Sequence, residues 1–365
     1  MIVHVLGRTT AGGNERLCLE LLRHAPAGVP QALIAIDPMP EGPLQSLFEA
    51  IPNLEFHHEP YSRDARPRFV LAMGRRLRAL NPTGVITYPF GQHLWVALAA
   101  KAVSGCRFIC HVGNPPAPSG PRREIFRKVV RLSQWLNAPL WSCSVTVHEQ
   151  FEGLGIGLPC DSRPVPNGVN IVSLQEAAAR GRAHRTEQGP VIAMIARLDQ
   201  IKDHDTLLAG FEGVVAARPD ARLWIIGDGA RRDTLQRQAA HRGISSAVSF
   251  MGVRQDIGEL LGQIDVFVFC TTQAEGFGIA LTEAMAVGLP IAASNVPACR
   301  EVLGGGVAGD LVPPRDEKAL AEAILGLIEN KERARLLGRA AEARARAEYD
   351  IEICAQRYYR YLMGT

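Results

Sequence analysis

The chain has 365 residues, 47% of them hydrophobic and 21% charged, enough apolar material for two domains of ordinary size. A net charge of +3 is too small to argue for nucleic acid, and no nucleic-acid partner is expected. The eight cysteines are scattered through apolar runs with no C-x2-C pair, which excludes a disulfide scaffold and a zinc ribbon and suggests a reducing compartment.

The chain opens directly on an apolar strand, Ile2–Leu6, without the basic start and cleavage site of a secretory leader, and no apolar run approaches membrane-spanning length. A cytoplasmic protein is therefore expected. A turn over 7–13 leads into a helix through Arg23, and Gly12 and Gly13 sit at its start. Two glycines there let the backbone approach a phosphate, although an ordinary helix start reads the same way. Further apolar runs at 32–36, 84–88 and 107–111 alternate with amphipathic stretches near 69–80 and 93–103. Strands alternating with helices imply a parallel sheet covered on both faces.

His111 closes the 107–111 run and precedes Val112-Gly113-Asn114-Pro115-Pro116, which cannot continue as helix. At the C-terminal edge of a parallel strand it is expected to point into a ligand cleft, with a satisfied core histidine as the alternative. Over 122–136 the pattern predicts a two-faced helix. Ile125, Val129, Leu132 and Leu136 form its apolar stripe, and Arg123, Arg127, Lys128 and Arg131 lie opposite. Such a helix suits an anionic membrane surface, or simply packs on its own sheet with its charges in water.

Around residues 165–170 the texture changes, and 171–190, rich in Ala and Arg without a clean apolar face, reads as a linker. The expected division is 1–170, a linker 171–190, a second α/β domain 191–346, and a last helix 347–365. That helix holds four of the six tyrosines and must dock its aromatic area somewhere.

The second half carries the chemistry. Arg197 and Lys202 lie in the loop after Val191–Ile195, where two cations suit a departing diphosphate, with two solvated charges on an exposed loop as the alternative. Gly227, in Ile226-Gly227-Asp228-Gly229, lines a ligand cleft or only makes a tight turn; the dinucleotide fingerprint is incomplete. Asp203-His204-Asp205 fits a D-x-D metal pattern, but a helix N-cap explains the acids better. Gly304 to Gly309 fits G-x-G-x-x-G without a preceding strand. The most informative run is Glu275-Gly276-Phe277-Gly278-Ile279, with Glu283 eight residues after Glu275. It follows a short apolar strand and opens a helix, so backbone amides and the helix dipole converge on an anion, while two carboxylates can accept from sugar hydroxyls.

Glu275 and Glu283 at this spacing resemble the E-x7-E signature of retaining GT-B glycosyltransferases, in particular the large family (family four) that uses nucleotide-sugar donors. The resemblance implies two Rossmann-like domains facing across a cleft, with the last helix crossing back onto the first. It implies Glu275 on the donor sugar, Glu283 on the ribose, and the amides around Phe277, Gly278 and Ile279 at the sugar and diphosphate. Arg197 and Lys202 would stand at the diphosphate, the Gly12-Gly13 loop across the cleft from the donor, and Arg254, in Ser249 to Arg254, beside the nucleobase. A donor-contacting histidine is implied near His111. The donor would be a UDP- or GDP-sugar and the acceptor a glycan or a lipid-linked sugar, with no cofactor and no metal. Related GT-B epimerases and phosphorylases, and a non-catalytic sugar-nucleotide binder, are the alternatives.

Overall fold

The computed structural model describes residues 1–9, 12–39 and 42–365. The chain divides into two compact units, Met1–Gly168 with Ile351–Thr365, and Val169–Asp350.

The first unit runs β1 (Ile2–Leu6), α1 (Gly13–Arg23), β2 (Gln31–Ala35), α2 (Gln45–Glu49), β3 (Glu55–His58), α3 (Arg66–Leu80), β4 (Gly84–Thr87) and α4 (His93–Ala100). It continues with β5 (Arg107–Val112), α5 (Gly120–Trp135), β6 (Leu140–Ser142), α6 (Val145–Glu152) and β7 (Arg163–Pro164). Every residue of β1 and β2 is buried, as expected of apolar strands covered on both faces. The seven strands are all parallel, in the order β3-β2-β1-β4-β5-β6-β7. From β1 the chain moves outward one way through β2 and β3, then crosses to build β4 to β7 on the other side. Right-handed crossovers put α1 and α2 on one face of the sheet and α3, α4 and α5 on the other.

The second unit runs α7 (Ile171–Ala183), β8 (Val191–Ile195), α8 (His204–Ala217), β9 (Arg222–Ile226), α9 (Arg232–His241), β10 (Val248–Gly252), α10 (Ile257–Leu261) and β11 (Val266–Phe269). It ends with α11 (Ile279–Ala286), β12 (Ile291–Ser294), α12 (Pro297–Val302), β13 (Asp310–Val312), α13 (Glu317–Glu329) and α14 (Lys331–Glu348). Its six parallel strands repeat the same plan, β10-β9-β8-β11-β12-β13. Leu207, Phe211, Leu223, Val268 and Ile324 fill the core on one face of the sheet. The order reverses between β8 and β11, and at such a switch point diverging loops leave room for a ligand.

The last helix, α15 (Ile351–Met363), belongs to the first unit, as expected. The Tyr358 ring lies 4.9 Å from that of Trp141, and the Tyr359 hydroxyl donates to the Leu21 carbonyl at 2.8 Å. Tyr349 departs from the expectation: it follows α14 in the second unit and packs edge-on against Phe277 at 5.4 Å.

Two further expectations need correction. Most of segment 171–190 is helical rather than a linker: Asn170 caps α7, accepting from the Ser173 amide at 3.0 Å. Helix α7 packs against α10 where Ala177 and Ala178 meet Gly258 and Gly262, and a contact face of small residues leaves no large apolar stripe to read. In α5 the stripe is rotated. Val130, Ser133 and Leu136 are buried, whereas Ile125 and Leu132 face water. Arg127 turns inward instead, donating to the Leu154 carbonyl at 2.9 Å, and Arg123 bonds the Gly153 carbonyl. Free carbonyls after α6 outcompete water for these guanidinium groups.

Candidate functional site

In the second unit the loops after β8 and β11 meet at the switch point. Asp199 shapes the first: its Oδ1 accepts from the amides of Ile201 at 3.0 Å and Lys202 at 3.3 Å. Lys202 then forms an antiparallel bridge with Thr271, which ties the two loops together. Immediately beyond, Asp203 caps α8 through the Thr206 amide at 3.2 Å, and Asp205 holds Arg231 by two bonds of 2.8 Å. Both acids therefore serve helix start and ion pair.

Lys202 and Glu275 form the centre of the site. The Lys202 ammonium contacts Glu275 Oε2, with side-chain exposures of 12% and 10%, and stands 4.4 Å over the Phe269 ring. The Thr271 hydroxyl lies 3.1 Å from the same carboxylate oxygen, and the Gly276 amide donates to Oε1 at 3.2 Å. Burial alone would push the Glu275 carboxyl up, but the Lys202 charge and the bonds from Lys202, Thr271 and the Phe277 amide outweigh it. The carboxyl is held below the ordinary glutamate range. Glu275 is thus a fixed hydrogen-bond acceptor rather than a proton donor.

Next to this pair the chain enters α11 through Gly278, at φ +90° and ψ 70°. A side chain there would be strained by the backbone and would meet the Phe269 ring at 2.9 Å. Asn170, Asp203, Asp316 and Asn330 cap α7, α8, α13 and α14 with their side chains; α11, like α9, α10 and α12, has no such cap. The amides of the first turn from Ile279 onward, with the positive end of the helix dipole, therefore suit an anionic ligand. Phe277 is buried, with its ring edge-on to Tyr349. Glu283 lies one turn into α11 on the side of Ile279 and is buried to 8% exposure.

The remaining expected residues are placed differently. Arg197 does not join Lys202 inside; its side chain is 65% exposed and pairs with Asp199 at 3.0 Å. Arg254 is bound by its neighbour Asp256, Nε to Oδ1 at 2.7 Å. Gly227 is a close-approach position, where a Cβ would lie 2.0 Å from the Ala196 carbonyl. Its amide donates to the Gly252 carbonyl at 2.8 Å, tying the end of β9 to that of β10, while the Ala196 amide donates to the Ile226 carbonyl at 2.9 Å and seats β9 against the loop that carries Arg197. Phe269 and Thr271 were not singled out from the sequence. They flank Cys270 at the end of a strand, and period-two alternation already puts them on one side together.

In the first unit the start of α1 meets the segments after β4 and β5. Thr10 and Ala11 of the expected 7–13 turn lie outside the described residues. Gly12 occupies the N-cap of α1 and Gly13 its first turn. Asn14 sits under Gly113 and donates to the Tyr88 carbonyl at 3.5 Å. His111 does not point into a cleft. It is fully buried inside β5 on the face that α15 covers, two residues from Ile109, and its Nδ1 lies 2.9 Å from the Tyr358 hydroxyl. Burial lowers its pKa to about 3. The strand runs one residue further than expected, to Val112, so His111 takes an in-strand, core-facing position.

Residues 176–344 match the family described as glycosyl transferases group 1. The phosphatidyl-myo-inositol mannosyltransferase of Mycobacterium leprae is 35% identical over 324 residues, covering 80% of this chain and 83% of that protein. The chain belongs to the group 1 glycosyltransferases. A GDP-mannose-dependent monoacylated alpha-(1-6)-phosphatidylinositol monomannoside mannosyltransferase of Corynebacterium glutamicum is 32% identical over 55% of each protein. Among solved structures, Anabaena Alr3699/HepE in complex with UDP and glucose is similar along the whole chain (TM-score 0.84, 19% identity, 99% of that chain). So is WaaG, a glycosyltransferase involved in lipopolysaccharide biosynthesis (TM-score 0.75, 14% identity, all of both chains). The fold of this glycosyltransferase is GT-B.

Proposed function

We propose that this glycosyltransferase moves a hexose from a GDP- or UDP-sugar to a lipid-linked or glycan acceptor, retaining the anomeric configuration. The observation that carries the reading is the buried Lys202–Glu275 pair beside the α11 N-terminus that lacks a side-chain cap, at the switch point of the unit that matches the family. The donor diphosphate would sit over the first turn of α11, with Lys202 offsetting the charge that builds as the sugar leaves. Arg197 is exposed and free to swing from Asp199 toward the same phosphates. Glu275, kept ionised, would accept from the sugar hydroxyls, and Glu283 from the ribose.

In the step itself the bond from the anomeric carbon to the diphosphate oxygen breaks. The acceptor oxygen bonds that carbon on the same face, and the acceptor proton passes to the departing diphosphate. Lys202 and Arg197 supply the positive charge this requires, so turnover is expected to survive chelation of divalent metals. GDP-mannose is the first donor to try, because the Corynebacterium relative is named for it. A role in glycolipid assembly follows the names of the inositol-lipid relatives.

The test is to incubate the purified chain with GDP-mannose or UDP-glucose and inositol-lipid or glycan acceptors, with EDTA present, and read the product by NMR. A product with the donor's anomeric configuration is expected. Inverted product, dependence on metal, or an isolated covalent glycosyl-enzyme would overturn the mechanism. Donor turnover with no acceptor used would favour an epimerase.

A further inference from the structure

His204 stands two residues after Lys202, at the first position of α8, and is fully buried. Helix capping does not need its side chain. Asp203 already caps α8 through the Thr206 amide, and the Thr206 hydroxyl donates to Asp203 at 2.7 Å. The imidazole turns back toward the preceding loop, where its Nδ1 lies 3.2 Å from the Lys202 carbonyl oxygen. A carbonyl can only accept, so Nδ1 carries the hydrogen and Nε2 is bare. Nε2 is buried and has no hydrogen-bond partner among the described residues. Burial lowers the pKa of the ring to about 4, which keeps it neutral.

As a way of filling space this is unfavourable. Leucine would occupy the position without stranding a buried ring nitrogen. What the imidazole contributes and leucine cannot is the bond to Lys202. The Lys202 backbone is thereby held at both ends. Its amide donates to Asp199 Oδ1 at 3.3 Å, and its carbonyl accepts from the His204 ring and from the His204 amide at 3.0 Å. The preceding carbonyl, of Ile201, accepts from the Thr271 hydroxyl at 3.1 Å and the Thr272 amide at 3.0 Å. An ammonium on a flexible four-carbon stem is held at one point only if its backbone is held too. The place of the Lys202 ammonium, on Glu275 and over the Phe269 ring, needs that support.

We propose that His204 is a positioning residue for sugar transfer: its imidazole, acting through the Lys202 carbonyl, sets where the Lys202 ammonium meets the donor diphosphate. Fully buried, it acts on the reaction through Lys202 alone. This rests on the donor reading of Lys202 above, and the two fail separately.

Two substitutions divide the roles of the ring. His204→Leu fills the space and removes the N–H, whereas His204→Asn puts an amide N–H where Nδ1 stood. Lys-Asp occurs once in the sequence, at Lys202-Asp203. Lysine labelled with carbon-13 at the carbonyl and aspartate labelled with nitrogen-15 therefore give a single NMR signal for the Lys202 carbonyl. Without any substrate, that signal should move in His204→Leu and stay near its wild-type position in His204→Asn. In transfer assays His204→Leu should lower kcat at least about tenfold, with the donor KM changed less than about threefold. His204→Asn should bring kcat back to within about threefold of wild type. Both variants should unfold in urea near the wild-type midpoint, because leucine strands no nitrogen and asparagine keeps the bond. Three results would each overturn the proposal: an unmoved carbonyl signal or full kcat in His204→Leu, His204→Asn as slow as His204→Leu, or a kcat loss in both variants that tracks lost stability. A wild-type chain that transfers no sugar would defeat the donor reading instead, and the carbonyl signal would still decide whether His204 holds Lys202.

Discussion

The Lys202 ammonium rests on the Glu275 carboxylate and 4.4 Å above the Phe269 ring, which joins the loop after β8 to the loop after β11. A cation, an anion and an aromatic face are thereby fixed beside the α11 N-terminus.

Removing the cation should damage both fold and reaction. Lys202→Met leaves a buried carboxylate without its partner, at a cost of about 3 kcal/mol in urea unfolding. It should also lower the transfer rate about a hundredfold or more through loss of charge stabilisation. Rates near wild type would mean that Lys202 is only structural.

Gly278→Ala puts a side chain at φ +90° against the Phe269 ring. Strain of about 1–3 kcal/mol is expected in equilibrium unfolding. Because the α11 N-terminus must shift, the KM for donor should rise more than kcat falls. A kinetically silent variant would separate this turn from the donor site.

Acid should unfold the chain from an unusually high pH. Burial lowers His4, His93 and His111 from 6.5 to about 3, and His204 to about 4. The unfolded chain takes up these protons below 6.5 while the folded chain does not. Each histidine therefore removes up to about 1.4 kcal/mol per pH unit as pH falls below 6.5. Glu275 acts in a lower window. Its depressed carboxyl contributes stability above the ordinary glutamate value of 4.5, lost as pH falls through the folded value. Urea midpoints measured from pH 7.5 to 5 should drop steeply; a flat profile would contradict the buried neutral histidines.

Tyr358→Phe tests the docking of the last helix. It removes the partner of His111 Nδ1 in a residue whose Nε2 is already unsatisfied among the described residues. A loss of about 1–3 kcal/mol is expected. An unchanged midpoint would place the stabilisation by α15 in its packing alone.

The sequence made the parallel α/β plan legible because fully buried strands leave plain apolar runs, as in Val191–Ile195. The Glu275-to-Glu283 turn was legible because glycine at a left-handed helix start and carboxylates at set spacing are local features. Side-chain destinations were not. Arg127 reaches the Leu154 carbonyl and Arg254 closes on Asp256, choices made by tertiary partners that periodicity cannot reveal. His111 is illegible for want of a single strand residue: β5 continues to Val112, so His111 lies within the strand and not at its end. Helix α7 was missed because alanine and glycine make its contact face.

The most direct test is saturation-transfer NMR with UDP-, GDP- and ADP-sugars on the wild-type chain and on Glu283→Ala and Lys202→Met. A GDP- or UDP-sugar is expected to bind the wild type, with signal from both ribose and hexose, and each substitution should weaken it. No binding by any of these donors, or binding equally strong in both variants, would contradict a donor site at the head of α11.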